Sequence, residues 1–232
     1  MEKNFTYINE HYITEDNLCD MTGITKSELN ALIEKQLVPD ASYTVTRTIK
    51  ITSSLNDKFQ SEMTDRYFSK NCIALIEEHK NLNDAAQYKA EFKQKFIQDL
   101  MKHPDKNFAY HQISEDDFRD QEKINAIFEE EWKAYCKGIY GICTLHSSVE
   151  EIVDKEVIVK KLIQFNSIFS QKILSPEEKE QLIQLNEEFN KVAASFAPYQ
   201  REASSRGKYL DRILEKNNLD HLIKNYSYAK IK

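Results

Sequence analysis

Glycine, proline and tryptophan are scarce in this chain of 232 residues, which has four glycines, four prolines and a single tryptophan. Because glycine and proline are the residues that most often end helices, their scarcity predicts long uninterrupted helices. Hydrophobic residues make up 41% of the chain and charged residues 30%, a balance typical of a folded protein rather than a disordered one. The length allows one large domain or two small ones.

Several functional signatures are also missing. The sequence has no run of about 18 apolar residues and no apolar centre of a signal peptide near its start. The four cysteines form no CxxC pair, so we expect reduced thiols and a cytoplasmic protein with no membrane segment. A formal net charge of -6 disfavours nucleic acid as a partner. Nucleotide-binding loops and the motifs of zinc proteases, serine hydrolases and di-iron bundles are absent, so no cofactor is predicted and no catalytic residue can be named.

The first 40 residues contain a helix-turn-helix pattern. Thr14 can cap a short helix, Gly23 suits a tight turn, and a capping box from Thr25 to Glu28 opens a second helix that Pro39 ends. The spacing resembles the helix-turn-helix of MerR-type regulators, a unit that several unrelated folds reuse. On the second helix only two side chains are positively charged, which disfavours binding to a DNA duplex.

Residues 43–52 give the one strong strand prediction, since bulky residues alternate with Thr and Lys. A lone strand leaves backbone groups unpaired, so it needs a partner, and Phe5–Ile8 is the nearest candidate. We therefore predict a small winged-helix-like unit over residues 1–60 whose open strand edge could accept an extended peptide. The candidate docking residues are Tyr43, Val45, Arg47 and Ile49.

The rest of the chain, 61–232, is predicted to be a helical domain of five or six helices, so the fold class is mainly α with a short β element. The predicted helices cover 67–78, 84–102, 115–137, 149–169, 175–196 and 204–214. Ser114, Ser148 and Ser175 are the expected caps of three of them. Residues 106–113 are expected to form a connector, Pro198 to stop a helix, and 217–232 to be a frayed tail.

The segment Trp132–Cys143 holds the only tryptophan, two glycines and two cysteines. It is predicted to form a tight buried turn between two helices, with glycines at close backbone contacts. Alternatively it forms a pocket wall in which Tyr135 or Tyr140 presents a hydroxyl. Metal binding is the third interpretation, with Cys136, Cys143 and His146 as weak candidate ligands and no fourth ligand apparent.

Half of the six arginines lie in one C-terminal segment, at Arg201, Arg206 and Arg212. Guanidinium groups beside a helix N-terminus suit a carboxylate or a phosphate. The alternative is that they pair with acidic runs at 115–117 or 129–131 and hold helices together. The full set of ligand or pocket candidates is Trp132, Tyr135, Tyr140, Tyr199, Arg201, Arg206 and Tyr209.

Three motifs carry a family resemblance. They are Trp132-x-x-Tyr135-x-x-Gly138-x-Tyr140-Gly141-Ile142-Cys143, Phe196-Ala197-Pro198-Tyr199-x-Arg201 and Ser205-Arg206-x-x-Tyr209. Together with the N-terminal segment, they resemble an uncharacterised bacterial family labelled natural product biosynthesis proteins. The resemblance implies an association with biosynthetic gene clusters and supplies no catalytic residues.

Three functions follow as hypotheses. The first is a non-catalytic accessory or recognition protein that docks a biosynthetic enzyme or a peptide. The second is a small-molecule enzyme or binder with a pocket between the Trp132–Cys143 turn and Arg201 and Arg206. The third is a helix-turn-helix regulator that binds DNA, which the charge distribution disfavours.

Overall fold

The structure, a computed structural model, describes residues 2–81, 84–103, 108 and 115–226. The fold is mainly helical with a small three-stranded antiparallel sheet, which confirms the mainly α class predicted from the sequence. Across the part of the chain described, no helix combines the length and the apolar character needed to cross a bilayer.

The N-terminal elements combine short helices with the sheet. They are α1 (Glu2–His11), β1 (Tyr12–Thr14), α2 (Glu15–Thr22), α3 (Lys26–Glu34), β2 (Tyr43–Thr52), β3 (Lys58–Ser69) and α4 (Cys72–His79). The predicted caps are confirmed. The Thr14 side chain accepts a hydrogen bond from the backbone of Asn17, and Thr25 and Glu28 form the capping box that begins α3.

The predicted strand is confirmed, but its predicted partner is wrong. Residues Phe5–Ile8 lie in α1, and β2 pairs instead with β3 in an antiparallel hairpin. The short β1 pairs with the other edge of β3, so the strand order is β1-β3-β2. A helix was predicted to begin at Tyr67, yet that residue lies in β3, which continues to Ser69. The sheet therefore extends beyond residue 60.

The helical part of the chain follows α4. Its helices are α5 (Ala85–Lys102), α6 (Gln121–Cys136), α7 (Ile139–Cys143), α8 (Val149–Phe169), α9 (Pro176–Val192), α10 (Pro198–Arg201) and α11 (Arg212–Lys216). Asp120, rather than Ser114, caps α6, and a separate 3-10 turn over Glu115–Arg119 precedes it. Ser114 and the connector 106–113, apart from Phe108, lie outside the described residues.

Three predictions about the C-terminal part are wrong. Helix α9 ends at Val192, four residues before its predicted end, and Pro198 begins α10 rather than stopping α9. Proline suits the first helical position because the amide hydrogen it lacks would have no partner there. The described part of the predicted frayed tail, 217–226, is bonded to the rest of the fold: the amide oxygen of buried Asn217 accepts a hydrogen bond of 2.9 Å from the backbone of Leu174, and the carbonyl of Lys224 accepts one from Arg201. Residues 227–232 of that prediction lie outside the described residues.

Four apolar clusters hold the described residues together. The largest joins α5, α6 and α7 to the first half of α8, and the second joins the rest of α8 to α9 and the C-terminal helices. The third packs α2, α3 and α4 against β3. The fourth is a group of tyrosines that connects α1 and the sheet to Ala197. The N-terminal and helical parts therefore meet through packed side chains.

Candidate functional site

The connection between α6 and α7, here called the joint (residues 132–143), packs directly on the loop that follows α3. The backbone N–H of Asp40 donates to the carbonyl of Cys136 at 2.8 Å. Gly138 has a φ of 72°, and a Cβ atom there would lie 2.3 Å from the carbonyl oxygen of Asp40. A Cβ atom at Gly141 would lie 2.3 Å from Oγ of Ser42. Gly138 is required because two backbones approach too closely there for any side chain, whereas a side chain at Gly141 would displace those of Ser42 and Ser69.

Aromatic side chains fill the inner face of the joint. Trp132 stacks on Tyr135 with 5.5 Å between ring centroids, and its indole N–H donates to Oε1 of Gln36 at 2.9 Å. The hydroxyls of Tyr135 and Tyr88 are 2.9 Å apart. Burial raises the pKa of Tyr88 to about 12 and that of Tyr135 further still, so both hydroxyls keep their protons at neutral pH. Tyr140 is also buried.

A cavity of about 590 Å³ lies beside Tyr135, between α4, α5 and the start of α8. Its aromatic lining consists of His79, Tyr88, Phe92, Tyr135 and His146, with polar side chains around them. A size in the range of about 300–1,000 Å³ is usual for small-molecule sites. The structure thus places Tyr135 at a cavity wall, with its hydroxyl bonded to a neighbouring tyrosine.

The three candidate metal ligands have other surroundings. The His146 ring is largely exposed, and its Nδ1 lies 2.6 Å from Oε1 of Glu151. Cys143 is buried among apolar side chains, and burial raises the pKa of the Cys136 thiol to about 11. Over the described ranges, no group of three histidine, cysteine, aspartate or glutamate side chains is arranged to hold a metal ion.

The candidate arginines make internal contacts. Nε of Arg201 donates to Asp211 at 2.7 Å, and its NH1 donates to the carbonyl of Lys224 at 2.8 Å. Arg206 is completely buried over the Phe189 ring, and it donates to Oδ1 of Asn190 at 2.8 Å. Its other donors reach the carbonyls of residues 193 and 194. The hydrogen-bond donors of both guanidinium groups are therefore used by acceptors within the protein.

The joint and the arginine segment lie next to each other. Thr144, just after α7, forms an isolated β-bridge with Ala193, whose carbonyl accepts a hydrogen bond from Arg206. Tyr199 is 60% exposed, and its backbone N–H donates to Asn4. Tyr209 is half-buried, and its carbonyl accepts a hydrogen bond from Asn166. The seven pocket candidates thus belong to adjacent segments without converging on one cavity.

The hairpin beyond the core, here called the arm (residues 46–64), has one apolar face and one polar face. Residues directly opposite in an antiparallel pair share a face, and the pairs Arg47–Met63, Ile49–Ser61 and Ile51–Phe59 bring the apolar side chains together. The exposed fractions are 39% for Ile49, 55% for Ile51, 58% for Phe59 and 47% for Met63. The other face carries the residues Thr46, Thr48, Lys50, Thr52, Lys58, Gln60, Glu62 and Thr64.

The four predicted docking residues divide between the core and the arm. Tyr43 is buried and donates its hydroxyl to Gln200 at 2.8 Å, and Val45 packs among the tyrosines. Arg47 forms an ion pair with Asp65 and lies over the Phe5 ring. Ile49 is exposed on the apolar face.

Four exposed apolar residues of the arm were missed from the sequence: Ile51, Leu55, Phe59 and Met63. Phe59, Met63 and Tyr67 lie four residues apart and therefore on one face of β3, and this spacing is the signal that could have found the last two.

A family model covers more than half of the chain. The family of unknown function DUF6058 matches residues 88–218, a span that begins in α5 and includes the joint and the arginine segment. No curated protein and no solved structure matches the chain. The arm lies outside the matched span. The chain therefore belongs to the DUF6058 family.

Proposed function

We propose that this chain is a non-catalytic recognition protein whose arm binds an extended segment of a polypeptide partner by strand addition. The observation that carries the proposal is the two-faced arm, whose apolar face is exposed. Contiguous exposed apolar side chains with polar ones beside them mark interaction sites on folded proteins. An association with natural-product biosynthesis stays a prediction, as does the winged-helix interpretation of the N-terminal unit.

Near the core, the same face of the hairpin is already covered. Tyr43 and Val45 pack against Tyr7 and Ile8 of α1, and Arg47 lies over Phe5 at 5.6 Å. The next alternate positions, from Ile49 onward, have the same orientation and apolar character but remain exposed. A partner bound to the arm would cover its apolar face in the same way that α1 covers the part of that face nearest the core.

The edge of β2 favours a strand as the occupant. β2 is at the end of the order β1-β3-β2, and no strand among the described residues pairs with its outer edge. Its ten residues span roughly 33 Å at about 3.3 Å per residue. A partner strand there would gain main-chain hydrogen bonds from the edge and would place its alternate apolar side chains beside Ile49 and Ile51.

The pKa values of the Cys72 and Cys136 thiols are shifted away from reactivity. Burial raises the pKa of the Cys72 thiol to about 12 and that of Cys136 to about 11, which removes the thiolate that a nucleophile needs. The buried tyrosines keep their protons for the same reason. These shifts argue against Cys72 or Cys136 as a nucleophile.

The basic side chains around α2 and α3 give no specific support for DNA binding. Lys26 pairs with Asp16, and Arg66 bonds to Glu15 at 2.9 Å and to Asp40 at 2.7 Å. Because carboxylates already neutralise these side chains, their contact with DNA phosphates would release few counterions and add little affinity. A gel shift with the upstream region of the gene at low salt is expected to show no specific complex.

A photo-crosslinking pair tests the arm. A photoreactive amino acid replaces Ile51 on the apolar face in one variant and Thr48 on the polar face in the control. In the native host, we expect a single partner to crosslink from position 51 and not from position 48. The partner identified by mass spectrometry is then purified and titrated against the wild-type chain.

The titration decides the outcome. We expect saturable binding that the double substitution Ile51→Asp and Phe59→Asp abolishes, while Thr48→Asp with Gln60→Asp preserves it. No crosslink from position 51, equal crosslinks from both positions, or a crosslink only to a second copy of this chain would each overturn the proposal.

A further inference from the structure

A second cavity, of about 520 Å³, neighbours the one beside Tyr135, and Asn71 and His146 belong to the lining of both. Five regions of the chain form it: the end of α1 with β1, the turn after β3, the end of α7 with the residues that follow it, the segment around 194 and the segment around 224. Its volume falls within the range of about 300–1,000 Å³ that is usual for small-molecule sites. We call it the basic cavity.

The charge of its lining is one-sided. Its ionisable side chains other than tyrosine are His11, Lys70, His146 and Lys224, and no described carboxylate belongs to the lining. The whole chain, by contrast, has 38 acidic and 32 basic side chains and a formal charge of -6. The positive charge of the cavity comes from its two lysines, because burial lowers the pKa of His11 and Glu151 pairs with His146.

Lys224 is the central cation. Its ammonium group has neither an ion pair nor a hydrogen bond among the residues described, although it is half-buried. Arg201 and Arg206 stand close enough for their charges to lower the pKa of Lys224, in addition to the larger effect of burial. Asp211 bonds to Arg201 and does not contact Lys224. Asp211 offsets part of this positive charge, since it pairs with Arg201 and also acts on Arg206, whereas no described carboxylate pairs with Lys224.

The other basic groups leave room for a ligand. Nζ of Lys70 donates to the backbone carbonyl of Glu10 at 2.8 Å, which satisfies one of its three donors and leaves its charge unpaired in the described structure. The His11 ring packs on Tyr7 at 4.4 Å between centroids. His146 is the exception, since Glu151 already accepts from its ring.

Hydroxyl and aromatic groups complete the lining. Ser69 and Ser195 contribute hydroxyls, which can donate to an oxyanion. The Tyr12 hydroxyl is already used, because it donates to the carbonyl of Gly141 at 3.0 Å. Tyr7 and His11 form an aromatic wall. The cavity is far larger than a bare phosphate requires, so it suits an organic body with an oxyanion head.

We infer that the basic cavity binds a small organic anion whose carboxylate or phosphate group lies between Lys224 and Lys70, with its organic body against Tyr7 and His11. The site is separate from the arm, which lies on β2 and β3. It is therefore independent of the proposed polypeptide partner.

Isothermal titration calorimetry on the full chain at constant ionic strength tests this site. The probes are phenyl phosphate, benzoate, inorganic phosphate and the uncharged benzyl alcohol. We expect one-to-one binding of phenyl phosphate or benzoate with a dissociation constant below about 1 mM, and weaker binding of the other two. The stronger of the two organic anions identifies the head group as phosphate or carboxylate.

Matched lysine variants locate the site. Lys224→Gln and Lys70→Gln are each expected to weaken binding at least about tenfold, since each removes a charge that faces the anion. Lys50→Gln on the polar face of the arm removes the same charge elsewhere and should leave binding unchanged. Circular dichroism checks that every variant is folded, and the ring signals of His11 in NMR spectra should move more than those of His221 on titration.

Three results would overturn the inference: no saturable binding of either organic anion, benzyl alcohol binding as tightly as benzoate, or equal affinity in wild type and Lys224→Gln. The double variant Ile51→Asp with Phe59→Asp should retain anion binding. That result separates a failure at this site from a failure of the arm to bind a partner.

Discussion

The joint and the arm both contain large apolar and aromatic side chains, but these side chains are buried in the joint and exposed in the arm. In the joint, Trp132 and Tyr135 are almost fully buried and their polar atoms are hydrogen-bonded. In the arm, Ile51 and Phe59 are more than half exposed. Apolar residues in the joint thus stabilise the fold, whereas those in the arm contribute little to it and remain available to a partner.

The two regions also differ in how closely backbones approach. The glycines of the joint permit a direct contact with residues 40 and 42, which fixes the helical part on the N-terminal part. The arm extends beyond such contacts and is held mainly by its own cross-strand pairs. The comparison predicts large stability effects for the joint and small ones for the arm.

The largest effect is expected from Gly138→Ala. The new Cβ atom would meet the carbonyl of Asp40 at 2.3 Å, and the left-handed φ of 72° strains any residue with a side chain. We expect a loss of about 4 kcal/mol in the free energy of unfolding, measured by urea denaturation.

Gly23→Ala is the matched control, since Gly23 has a φ of 67° and open space around it. It should cost only about 1 kcal/mol. Similar losses for both variants would contradict the close approach at the joint.

Arg206→Met should have the next largest effect. It removes three donors from Asn190 and from the carbonyls of residues 193 and 194, beside the bridge to Thr144. Buried acceptors left without partners should cost about 3 kcal/mol. Arg212→Met is the control because that side chain is 60% exposed and bonds only to exposed Glu202. It should change stability by less than about 0.5 kcal/mol.

One identical substitution compares the two regions directly. Phe128→Leu, at a fully buried position against Trp132, should cost about 2 kcal/mol, whereas Phe59→Leu on the arm should stay within about 0.5 kcal/mol. Both are measured in urea by circular dichroism. A loss at position 59 equal to that at position 128 would show that the arm is packed in solution.

The smallest effect concerns the capping box before α3, the helix that leads to the loop under the joint. Hydrogen bonds from Thr25 hold the pKa of Glu28 below its ordinary value. A depressed carboxyl pKa adds stability above the unfolded-state pKa of 4.5, and this stability is lost as the pH falls through the folded-state value. Glu28→Gln should therefore show a shallower loss of stability on acidification, measured by denaturation between neutral and acidic pH.

Local signals explain what could be predicted from the sequence. Thr14, Thr25, Ser148 and Ser175 mark true helix starts because a cap depends on residues only three positions apart. The strand partner was missed because Ser61 and Asp65 interrupt the apolar alternation of β3. Strand pairing is a contact between distant residues that local sequence patterns do not specify, so the prediction chose the wrong partner, Phe5–Ile8.

The basic cavity could not have been predicted in this way. His11, Lys70, His146 and Lys224 come from four distant parts of the chain, and only the packing of the joint on the sheet brings them together. A carboxylate or phosphate was predicted beside Arg201 and Arg206 because the two residues are close in sequence. The structure shows them bonded to the protein itself.

The single tryptophan lies in the joint, so the molecule has an intrinsic optical probe at the contact between its two parts. Its indole is buried among aromatic rings and bonded to Gln36 of the N-terminal part. Separation of the two parts would bring this indole into water and shift its fluorescence emission to longer wavelength. The opening of the contact can therefore be followed in real time without any label.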